Sequence, residues 1–363
     1  MPPGGRPPYL DEGERMSSTA RVTSRDVARE AGVSPATVSL VLRNKPGVGA
    51  QTRERVLRVA KEMGLERVSG GAHRKTSTLL FIIYKRHGKV VRETPFFEAL
   101  IKGASDATYR NGYHRLSISY FYEHEHASEQ LKALRSIKCA GILLLATEMR
   151  AREVSQFERL GVPIVLLDSW FPTKNLDSVV IDNSRGAWEA VRYLHGMGHT
   201  DIGYLHSKVD IRNFLERQQG FLSAMGDIGR SSDPTQNTIV RVGSTMDAAC
   251  MDMLAYLDAS PKLPTAFFAD NDLIASGCIR ALQDHGIRVP EDVSVMGFDN
   301  IYTSSFFNPP LTTMGVPKEC MGATAVQRLS NIIKGKTDGN TVRISMNLRL
   351  VERLSVARLQ KVD

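Results

Sequence analysis

The sequence predicts an α/β protein built from two doubly wound parallel-sheet lobes that follow an all-α helix-turn-helix head. Three observations lead to this prediction. Short apolar runs alternate with helical patterns from residue 78 to residue 299, a break near the middle divides them into two series, and residues 21–65 carry helical patterns alone. Because alternation of apolar strands with helices implies parallel sheets covered by helices on both faces, two such series imply two lobes.

Residues 23–44 have the pattern of two short helices joined by a tight turn. Thr23 and Asp26 have the spacing of a capping box, and Gly32 ends the first helix. Ser34 is a suitable N-cap for the second helix, and a proline follows at the first helical position, where a missing N–H costs nothing. The apolar residues of both helices can form one small core face: Val27, Ala28, Ala31, Val33, Val38, Val41 and Leu42. This agreement predicts a helix-turn-helix, whose second helix presents its first residues to the DNA major groove.

The N-terminal part of the chain divides into three segments. Residues 1–20 lack an apolar signal-peptide core and are predicted to be a disordered tail, with Met16 as an alternative start. Residues 21–65 form the head, because a third amphipathic helix follows at about 50–63 and stops at a glycine. Residues 66–77 are polar, contain glycines and lack periodicity, which predicts a linker.

Residues 78–363 are predicted to form the two lobes. The predicted strands are apolar runs at 78–84, 115–120, 141–146, 162–168, 178–182, 201–206, 238–242, 265–269 and 293–299, with helical patterns between them. We expect the first lobe to span about 78–178 plus 312–338, and the second about 179–311 plus 339–363. Ligands of such sheets bind at the carboxyl ends of the strands, so a cleft between the lobes is the expected site.

The positive charge is concentrated in the head and the linker. Residues 21–78 hold twelve Arg and Lys against five Asp and Glu, whereas the whole chain has a formal net charge of +8. A charged run is usually a solvated helix face. Here it coincides with a helix-turn-helix, so neutralisation of DNA phosphates is the better explanation.

The composition predicts a soluble cytoplasmic protein without a membrane segment. No apolar run approaches the roughly 20 residues that a transmembrane helix needs. The cysteines are scattered, without the spacing of a metal site or a disulfide framework: Cys139, Cys250, Cys278 and Cys320. The turns between strands and helices carry neither a phosphate-binding glycine motif nor a nucleophile elbow, so we expect no enzymatic activity and no cofactor.

In order and spacing, these segments resemble the lactose/galactose-repressor (LacI/GalR) family of bacterial transcription regulators over nearly the whole chain from residue 22. The motifs that carry the resemblance are TSRDVAREAGVSPATVSLVL, TRERVLRVAKEMG, PFFEALIKGASDATYRNGY, AGILLL, GVPIVLLD, RQQGFLSAM, FADNDLIASG, VPEDVSVMGFDN, PPLTTM and LRLVERLSV. The resemblance implies periplasmic-binding-protein-like lobes behind a DNA-binding head. It also implies a homodimeric repressor that binds a palindromic operator in double-stranded DNA and is switched by a small-molecule effector, a sugar or related metabolite, in the cleft.

The family's recognition positions map onto the second helix of the head. By position, Pro35, Ala36 and Leu40 would read bases, and none of these side chains can form a hydrogen bond with a base edge. Relatives frequently carry Arg where Leu40 offers only apolar contact; the alternative is that Leu40 packs in the helical core. Phosphate contacts are expected from residues at the family's backbone-gripping positions and from an arginine of the linker: Thr23, Ser34, Thr37, Ser39, Asn44, Arg53 and Arg74.

The linker departs from the family pattern. In the family this segment forms a short hinge helix that begins at a proline–asparagine pair and inserts a leucine into the minor groove. Residues 66–74 lack that proline and that leucine, and Gly70 and Gly71 disfavour a helix. We therefore expect no hinge-helix kink, and a basic arm with Arg67, Arg74 and Lys75 in its place.

The family's effector positions map onto strand ends and helix starts in both lobes. The resemblance assigns effector contacts to Phe96, Phe97, Asp168, Trp170, Arg217, Asn271 and Asp299, with Phe306 as a further stacking wall. Each has an alternative, because aromatic residues in α/β domains are usually core and strand-end aspartates often cap the next helix. After PPLTT the family often has a polar residue, whereas this chain has Met314, which disfavours a common disaccharide ligand.

Two other function classes stay open on the sequence. A solute-binding sensor module without effective DNA binding would share the lobes, but it would have a signal peptide and no basic helix-turn-helix. An enzyme on the same scaffold would need a catalytic set, since a fold alone does not determine function. The run Glu123-His124-Glu125-His126 resembles a metal cluster, yet a loop does not enforce ligand geometry, so a solvated loop is the preferred interpretation.

Overall fold

The computed structural model describes residues 22–42, 47–63, 77–91 and 95–359. The chain falls into two units, Met1–Lys75 and Thr76–Asp363, which are described separately. The predicted tail, Asn44, Arg74 and the linker up to residue 76 lie outside the described residues, so the expectations for them stay predictions.

The first unit is a three-helix head made of α1 (Ser24–Glu30), α2 (Pro35–Leu42) and α3 (Ala50–Glu62). The expected capping box is present, because the Asp26 carboxylate accepts a hydrogen bond of 2.9 Å from the backbone N–H of Thr23. Gly32 forms the turn with a φ of +65°, a conformation that a residue without Cβ adopts without strain. Ser34 caps α2, since its Oγ accepts from the N–H of Thr37 at 3.0 Å.

A small apolar core holds the head together. Its buried side chains come from all three helices: Val27, Ala28, Ala31, Val38, Val41, Leu42, Val56, Val59 and Ala60. The predicted face is present, with Val33 partly buried against this cluster. Leu40 is 38% exposed and lies outside the core, so the alternative interpretation of Leu40 as a core residue is wrong.

The second unit begins with the predicted alternation of strands and helices. Its first series consists of β1 (Thr78–Lys85), α4 (Pro95–Arg110), β2 (Arg115–Tyr122), α5 (Ala127–Ser136), β3 (Ile142–Leu145), α6 (Ala151–Glu158), β4 (Ile164–Leu167) and β5 (Asp177–Ile181). Strands β3 and β4 are buried at every residue, which explains why they are continuous apolar runs. Strand β2 lies at the edge of its sheet and is largely exposed.

The second series and the C-terminal part complete the unit. The second series consists of α7 (Asn183–Gly196), β6 (Ile202–Ser207), α8 (Arg212–Asp227), β7 (Ile239–Val242), α9 (Met246–Asp258), β8 (Ala266–Ala269), α10 (Asp272–Asp284) and β9 (Ser294–Asp299). The C-terminal part adds β10 (Thr312–Gly315), α11 (Lys318–Ile333), β11 (Arg343–Met346) and β12 (Arg349–Val351). Among the described helices, none combines the length and the apolar character that crossing a bilayer requires.

The strands form two six-stranded sheets, one in each lobe. The order is β11-β5-β4-β3-β1-β2 in the first and β12-β10-β9-β8-β6-β7 in the second. Neighbouring strands are parallel in both sheets, apart from the antiparallel pair β10 and β12. The prediction of two doubly wound parallel-sheet lobes behind an all-α head is confirmed.

The predicted lobe boundaries differ from the observed lobe membership at three strands. Strand β5 was expected in the second lobe and pairs with β4 in the first sheet. Strand β10 was expected in the first lobe and pairs with β9 in the second, while β11 joins β5 instead of the second lobe. An apolar run does not reveal which sheet it joins, because parallel neighbours are distant in sequence. The chain therefore crosses between the lobes after β5, after β10 and after β11.

Candidate functional site

A cavity of about 810 Å³ opens between the two lobes at the carboxyl ends of their strands. The segments that follow β1, β3 and β4 line one side, and α8 with the segments that follow β8 and β9 lines the other. Six of the predicted effector residues line it: Phe96, Phe97, Asp168, Arg217, Asn271 and Asp299. This is the position at which doubly wound sheets bind their ligands.

Arg217 is the central cation of the cavity wall. It lies on α8 and is 3% exposed. Its Nε donates to Asn183 Oδ1 at 2.9 Å, one terminal nitrogen donates to the Asp270 carbonyl oxygen, and the other lies 3.3 Å from an Asp299 carboxylate oxygen. The guanidinium also lies over the Phe298 ring, 3.7 Å from its centroid. Since a guanidinium has five N–H donors, part of its donor set is left for a ligand.

The packing of α8 places Arg217 and Asn213 together at the cavity. Gly220, one turn after Arg217, lies so close to α7 that a Cβ would clash with the carbonyl group of Ser184. Asn213 is four residues before Arg217 and therefore lies on the same face of the helix. Sequence reasoning missed Asn213, although this spacing from Arg217 was a usable signal.

Asp168 follows β4 and connects the two lobes. Its φ of +63° lies in the left-handed region, which non-glycine residues occupy mostly where the surrounding structure enforces it. One carboxylate oxygen accepts from Thr147 Oγ1 at 2.6 Å, and the other accepts from Asn213 Nδ2, on the opposite lobe, at 2.9 Å. Burial raises the pKa of Asp168 to about 6, although these hydrogen bonds and Arg217 act in the opposite direction.

Asp299 ends β9 in a similarly constrained conformation, with a φ of +106°. Burial raises the pKa of Asp299 above its ordinary value, while the nearby Arg217 and Lys318 oppose this shift. Lys318 Nζ donates to the carbonyl oxygens of Asp299 and Asn300, at 2.6 and 2.9 Å. The sequence does not indicate that Lys318 lies beside Asp299. The two residues meet only because the chain crosses between the lobes after β10.

Three of the predicted residues combine a structural role with a place in the cavity wall. Asn271 Oδ1 accepts from the N–H of Ile274 at 2.9 Å and caps α10. Phe96 and Phe97 are buried in the core of the first lobe, where their rings meet edge to face with centroids 5.1 Å apart. Asn271 is therefore a helix cap and the two phenylalanines are core residues, as the alternative interpretations state, and all three also line the cavity.

Trp170 and Phe306 are not among the residues that line this cavity, although both are predicted as stacking walls of the effector site. Two guanidinium groups lie over the Trp170 indole, Arg212 at 4.5 Å and Arg343 at 3.9 Å from the ring centroid, and Nε1 donates to Glu216 at 3.1 Å. Trp170 lines a second cavity of about 960 Å³ instead. Phe306 is 80% exposed. The two arginines over Trp170 are distant from it in sequence, so the sequence neighbours of Trp170 do not indicate this arrangement.

The acidic and histidine-rich segment after β2 contributes to the cavity wall through Glu123, His124 and Glu125. Glu123 is engaged with Arg86, whose Nε lies 3.1 Å from its carboxylate. Across the described ranges, no group of three His, Cys, Asp or Glu side chains is arranged to hold a metal ion.

Asp272 is a fully buried acidic residue that sequence reasoning missed, although it directly follows Asn271. Its carboxylate accepts from Thr313 Oγ1 at 2.6 Å and from the N–H of Ile301 at 2.8 Å. Burial raises the pKa of Asp272 to about 7, and the Asp299 carboxylate adds to the shift. Between about pH 4 and pH 7 the native state therefore holds a proton here that the unfolded chain has already released.

We expect the substitution Asp272→Asn to flatten the pH dependence of stability. In the wild type, the contribution of Asp272 is fully present below about pH 4 and is lost as the pH rises through about 7. Asparagine stays neutral throughout, and it can accept from Ile301 while donating to the Thr313 hydroxyl. The variant should therefore match the wild type in melting temperature near pH 4 and exceed it near pH 8.

Thermal unfolding between pH 4 and pH 8 measures this effect, with Asp210→Asn as the control at an exposed carboxylate. A constant difference between Asp272→Asn and the wild type at every pH would show that Asp272 is ionised in the native state.

The predicted DNA-contacting residues that the structure describes are all at least partly accessible to solvent. Pro35, Ala36 and Leu40 are exposed on α2. Ser34 and Thr37 bond each other through their hydroxyl groups at 2.9 Å. Thr23 and Ser34 are exposed, whereas Thr37, Ser39 and Arg53 are half-buried. A second helix with an accessible N-terminal half is the arrangement that a helix-turn-helix requires for entry into a major groove.

Comparison with known proteins agrees with this architecture. Residues 23–66 match the model of the bacterial regulatory proteins of the lacI family, and residues 191–356 match that of a periplasmic binding protein-like domain. The transcriptional repressor PurR of Pasteurella multocida is 32% identical over 338 residues, which cover 92% of this chain and 98% of PurR.

Two solved structures are similar over most of the chain. A complex of the transcriptional regulator CelR with cellobiose covers 92% of this chain and all of CelR, with 29% identity and a TM-score of 0.69. The lac repressor dimer bound to operator and to the anti-inducer ONPF covers 93% of this chain and 99% of its own, with 22% identity and a TM-score of 0.68. At this identity the lac repressor supports the fold alone.

Proposed function

Since the chain belongs to the lacI family of bacterial regulatory proteins, and is a DNA-binding transcriptional repressor rather than an enzyme, we propose that a sugar or related metabolite in the interlobe cavity switches its affinity for a palindromic operator. Such a switch needs a cavity that can recognise a small polyhydroxylated molecule and two lobes that respond to it. The second unit has such a cavity between its two lobes, and this supports the proposal.

The observation that carries the proposal is the combination of polar and aromatic groups around the cavity. Arg217 supplies hydrogen-bond donors, and the carboxylates of Asp168 and Asp299 supply acceptors. Phe96 and Phe97 add apolar faces beside them. Sugar hydroxyl groups both donate and accept, so this set suits a sugar, and the volume is within the usual range of small-molecule sites. The complex of the similar CelR with cellobiose supports the same class of ligand.

The effector is proposed to act by closing the lobes. Phe96 and Asp168 belong to the first lobe, whereas Arg217 and Asp299 belong to the second. A ligand that contacts both sides binds the closed arrangement more tightly than the open one. That difference in affinity is what shifts the population and couples the cavity to operator binding.

We assign DNA binding to residues 21–65, the linker to 66–77, and effector binding and dimerisation to 78–363. A second copy of the chain is proposed to pack on the edge strand β2, whose outer residues Ile118 and Tyr120 are exposed. A palindromic operator requires such a pair of heads, because its two half-sites are related by a two-fold axis. Because its partner is DNA, we infer that the protein acts in the cytoplasm.

The proposed function is tested by selecting random duplex DNA with the purified protein, with and without a pool of sugars and nucleosides. We expect enrichment of a two-fold symmetric site and a change in its affinity with one ligand class. Affinity for the selected site should fall on the order of 10³-fold between 50 and 200 mM salt, as expected for several phosphate contacts. As the control, Val38→Asp, which places a charge in the core of the head, should lose DNA binding and keep ligand binding.

If no palindrome is enriched and binding responds weakly to salt, the protein would be a solute sensor without effective DNA binding, and the proposed function would be wrong.

A further inference from the structure

The loop after β1, residues 86–91, is organised around one buried carboxylate that belongs to a different part of the chain. Glu148, in the segment that follows β3, accepts five backbone hydrogen bonds from this loop. Its Oε2 accepts from the N–H groups of Arg86, His87 and Gly88 at 2.9, 3.1 and 3.0 Å. Its Oε1 accepts from those of Val90 and Val91, both at 2.9 Å.

The carboxylate of Glu148 is ionised, because its hydrogen bonds outweigh its burial. Burial alone would raise the pKa of Glu148, but the backbone N–H groups hold it below its ordinary value. Gly88 adopts a φ of +59°, which turns the chain around the carboxylate. Successive N–H groups that converge in this way form an anion-binding concavity, and here the anion is a side chain of the protein itself.

The loop is also one wall of the interlobe cavity. Residues 86–90 line that cavity, whereas Glu148 lines the neighbouring cavity of about 960 Å³ and lies behind the wall. The one backbone N–H of the loop that Glu148 does not bind, that of Lys89, donates to His87 Nδ1 at 3.1 Å. Every backbone N–H group of residues 86–91 is therefore used within the first lobe, and the backbone of this wall can offer a ligand only carbonyl oxygens.

One of these carbonyl oxygens makes a contact across the cavity. Lys89 O accepts a hydrogen bond of 2.9 Å from Ser244 Oγ, which lies between β7 and α9 in the second lobe. The position of this carbonyl follows from the conformation of the loop, and five of the loop's backbone N–H groups are bound to Glu148.

We propose that Glu148 is a positioning residue for the effector site, which fixes the loop of residues 86–91 so that the backbone of residues 86–90 forms a hydrogen-bond-accepting wall and the Lys89 carbonyl lies where the second lobe can engage it. The proposal rests on the proposed function, which identifies the interlobe cavity as the effector site. It adds that the backbone of this wall accepts hydrogen bonds from ligand hydroxyl groups, and that Glu148 acts on affinity without touching the ligand.

The test is amide hydrogen exchange on the full-length protein without ligand. Glu148→Ala should raise exchange of the amides of residues 86–91 by tenfold or more, while Glu125→Ala, which removes an exposed carboxylate from the same cavity wall, should leave it unchanged. Formate or acetate should restore protection in Glu148→Ala, because a small carboxylate can enter the neighbouring cavity and occupy the vacated position. Chloride at the same ionic strength should not.

A second variant covers the case in which Glu148→Ala fails to fold. Glu148→Gln keeps one acceptor oxygen, so it should protect the amides bound to one position and release those bound to the other, either residues 86–88 or residues 90 and 91. Unchanged exchange of residues 86–91 in both variants, or rescue by chloride as strong as by acetate, would overturn the proposal.

Binding is measured separately with cellobiose, ribose and sucrose as probes, each titrated into wild type and Glu148→Gln. For a probe that the wild type binds, we expect affinity to fall about tenfold in the variant. Unchanged affinity together with lost protection would show that the loop is not a wall of the effector site. If no probe or other small molecule binds the wild type, the proposed function fails, while the exchange experiment still decides the role of Glu148.

Discussion

Replacing Arg217 by methionine is expected to abolish effector binding and to lower the free energy of unfolding of the lobes by roughly 3–5 kcal/mol, the usual cost of removing one partner from a buried ion pair. The Asp299 carboxylate, the Asn183 amide oxygen and the Asp270 carbonyl oxygen would all lose a donor. Methionine fills a similar volume beside Phe298, so the cost reflects lost charge and hydrogen bonds more than a cavity.

The measurement combines chemical denaturation with effector titration of operator-bound protein. Arg212→Met is the matched control, because Arg212 lies on the same helix, is about one-third exposed and lines the second cavity. We expect Arg212→Met to retain effector binding. An Arg217→Met protein that folds and responds to effector with wild-type affinity would show that the interlobe cavity is not the effector site.

Much of the fold was predictable because its signals are local. Strands β3 and β4 are continuous apolar runs, since parallel strands covered on both faces must be apolar throughout. The head was predictable for the same reason, because Thr23, Gly32 and Ser34 act within a few residues of their own positions.

The candidate site was predictable where it lies at strand ends. Asp168 and Asp299 directly follow apolar runs, and the carboxyl ends of parallel strands meet at one edge of a sheet. The resemblance to a known family added Arg217, which lies on a helix and carries no such signal of its own. These three residues line one cavity because the two lobes face each other. The pattern of strands and helices along the sequence does not specify that arrangement.

The remaining features depend on contacts between distant segments. Glu148 is a polar residue in a connection, and only the folded chain brings the loop after β1 around it. Trp170 is an aromatic residue near a strand end, the pattern expected of a ligand-stacking wall, yet Arg343 reaches it from the other end of the chain. The predicted lobe membership of β10 and β11 was wrong for the same reason, since the sequence of a strand does not indicate which strand it pairs with.

Introducing arginine at Leu40 is expected to change the operator sequence that the head selects. Leu40 is exposed on α2 and contributes nothing to the apolar core, so the substitution should leave the head folded. An arginine there would face the major groove and could bind guanine O6 and N7 with two hydrogen bonds. We expect selection from random DNA to gain a guanine at one position of each half-site, with discrimination of about 1–3 kcal/mol per half-site.

Leu40→Gln provides the matched variant, because glutamine pairs with adenine N6 and N7 where arginine pairs with guanine. The two variants should therefore enrich different bases at the same symmetric position. The salt dependence of DNA affinity distinguishes a base contact from a phosphate contact. An arginine that binds a base leaves the slope of log affinity against log salt concentration unchanged, whereas one that binds a phosphate steepens this slope by about 0.9 per contact. If both variants enrich the wild-type sequence and the slope steepens with arginine, Leu40 faces the DNA backbone, and the recognition positions assigned to α2 are shifted.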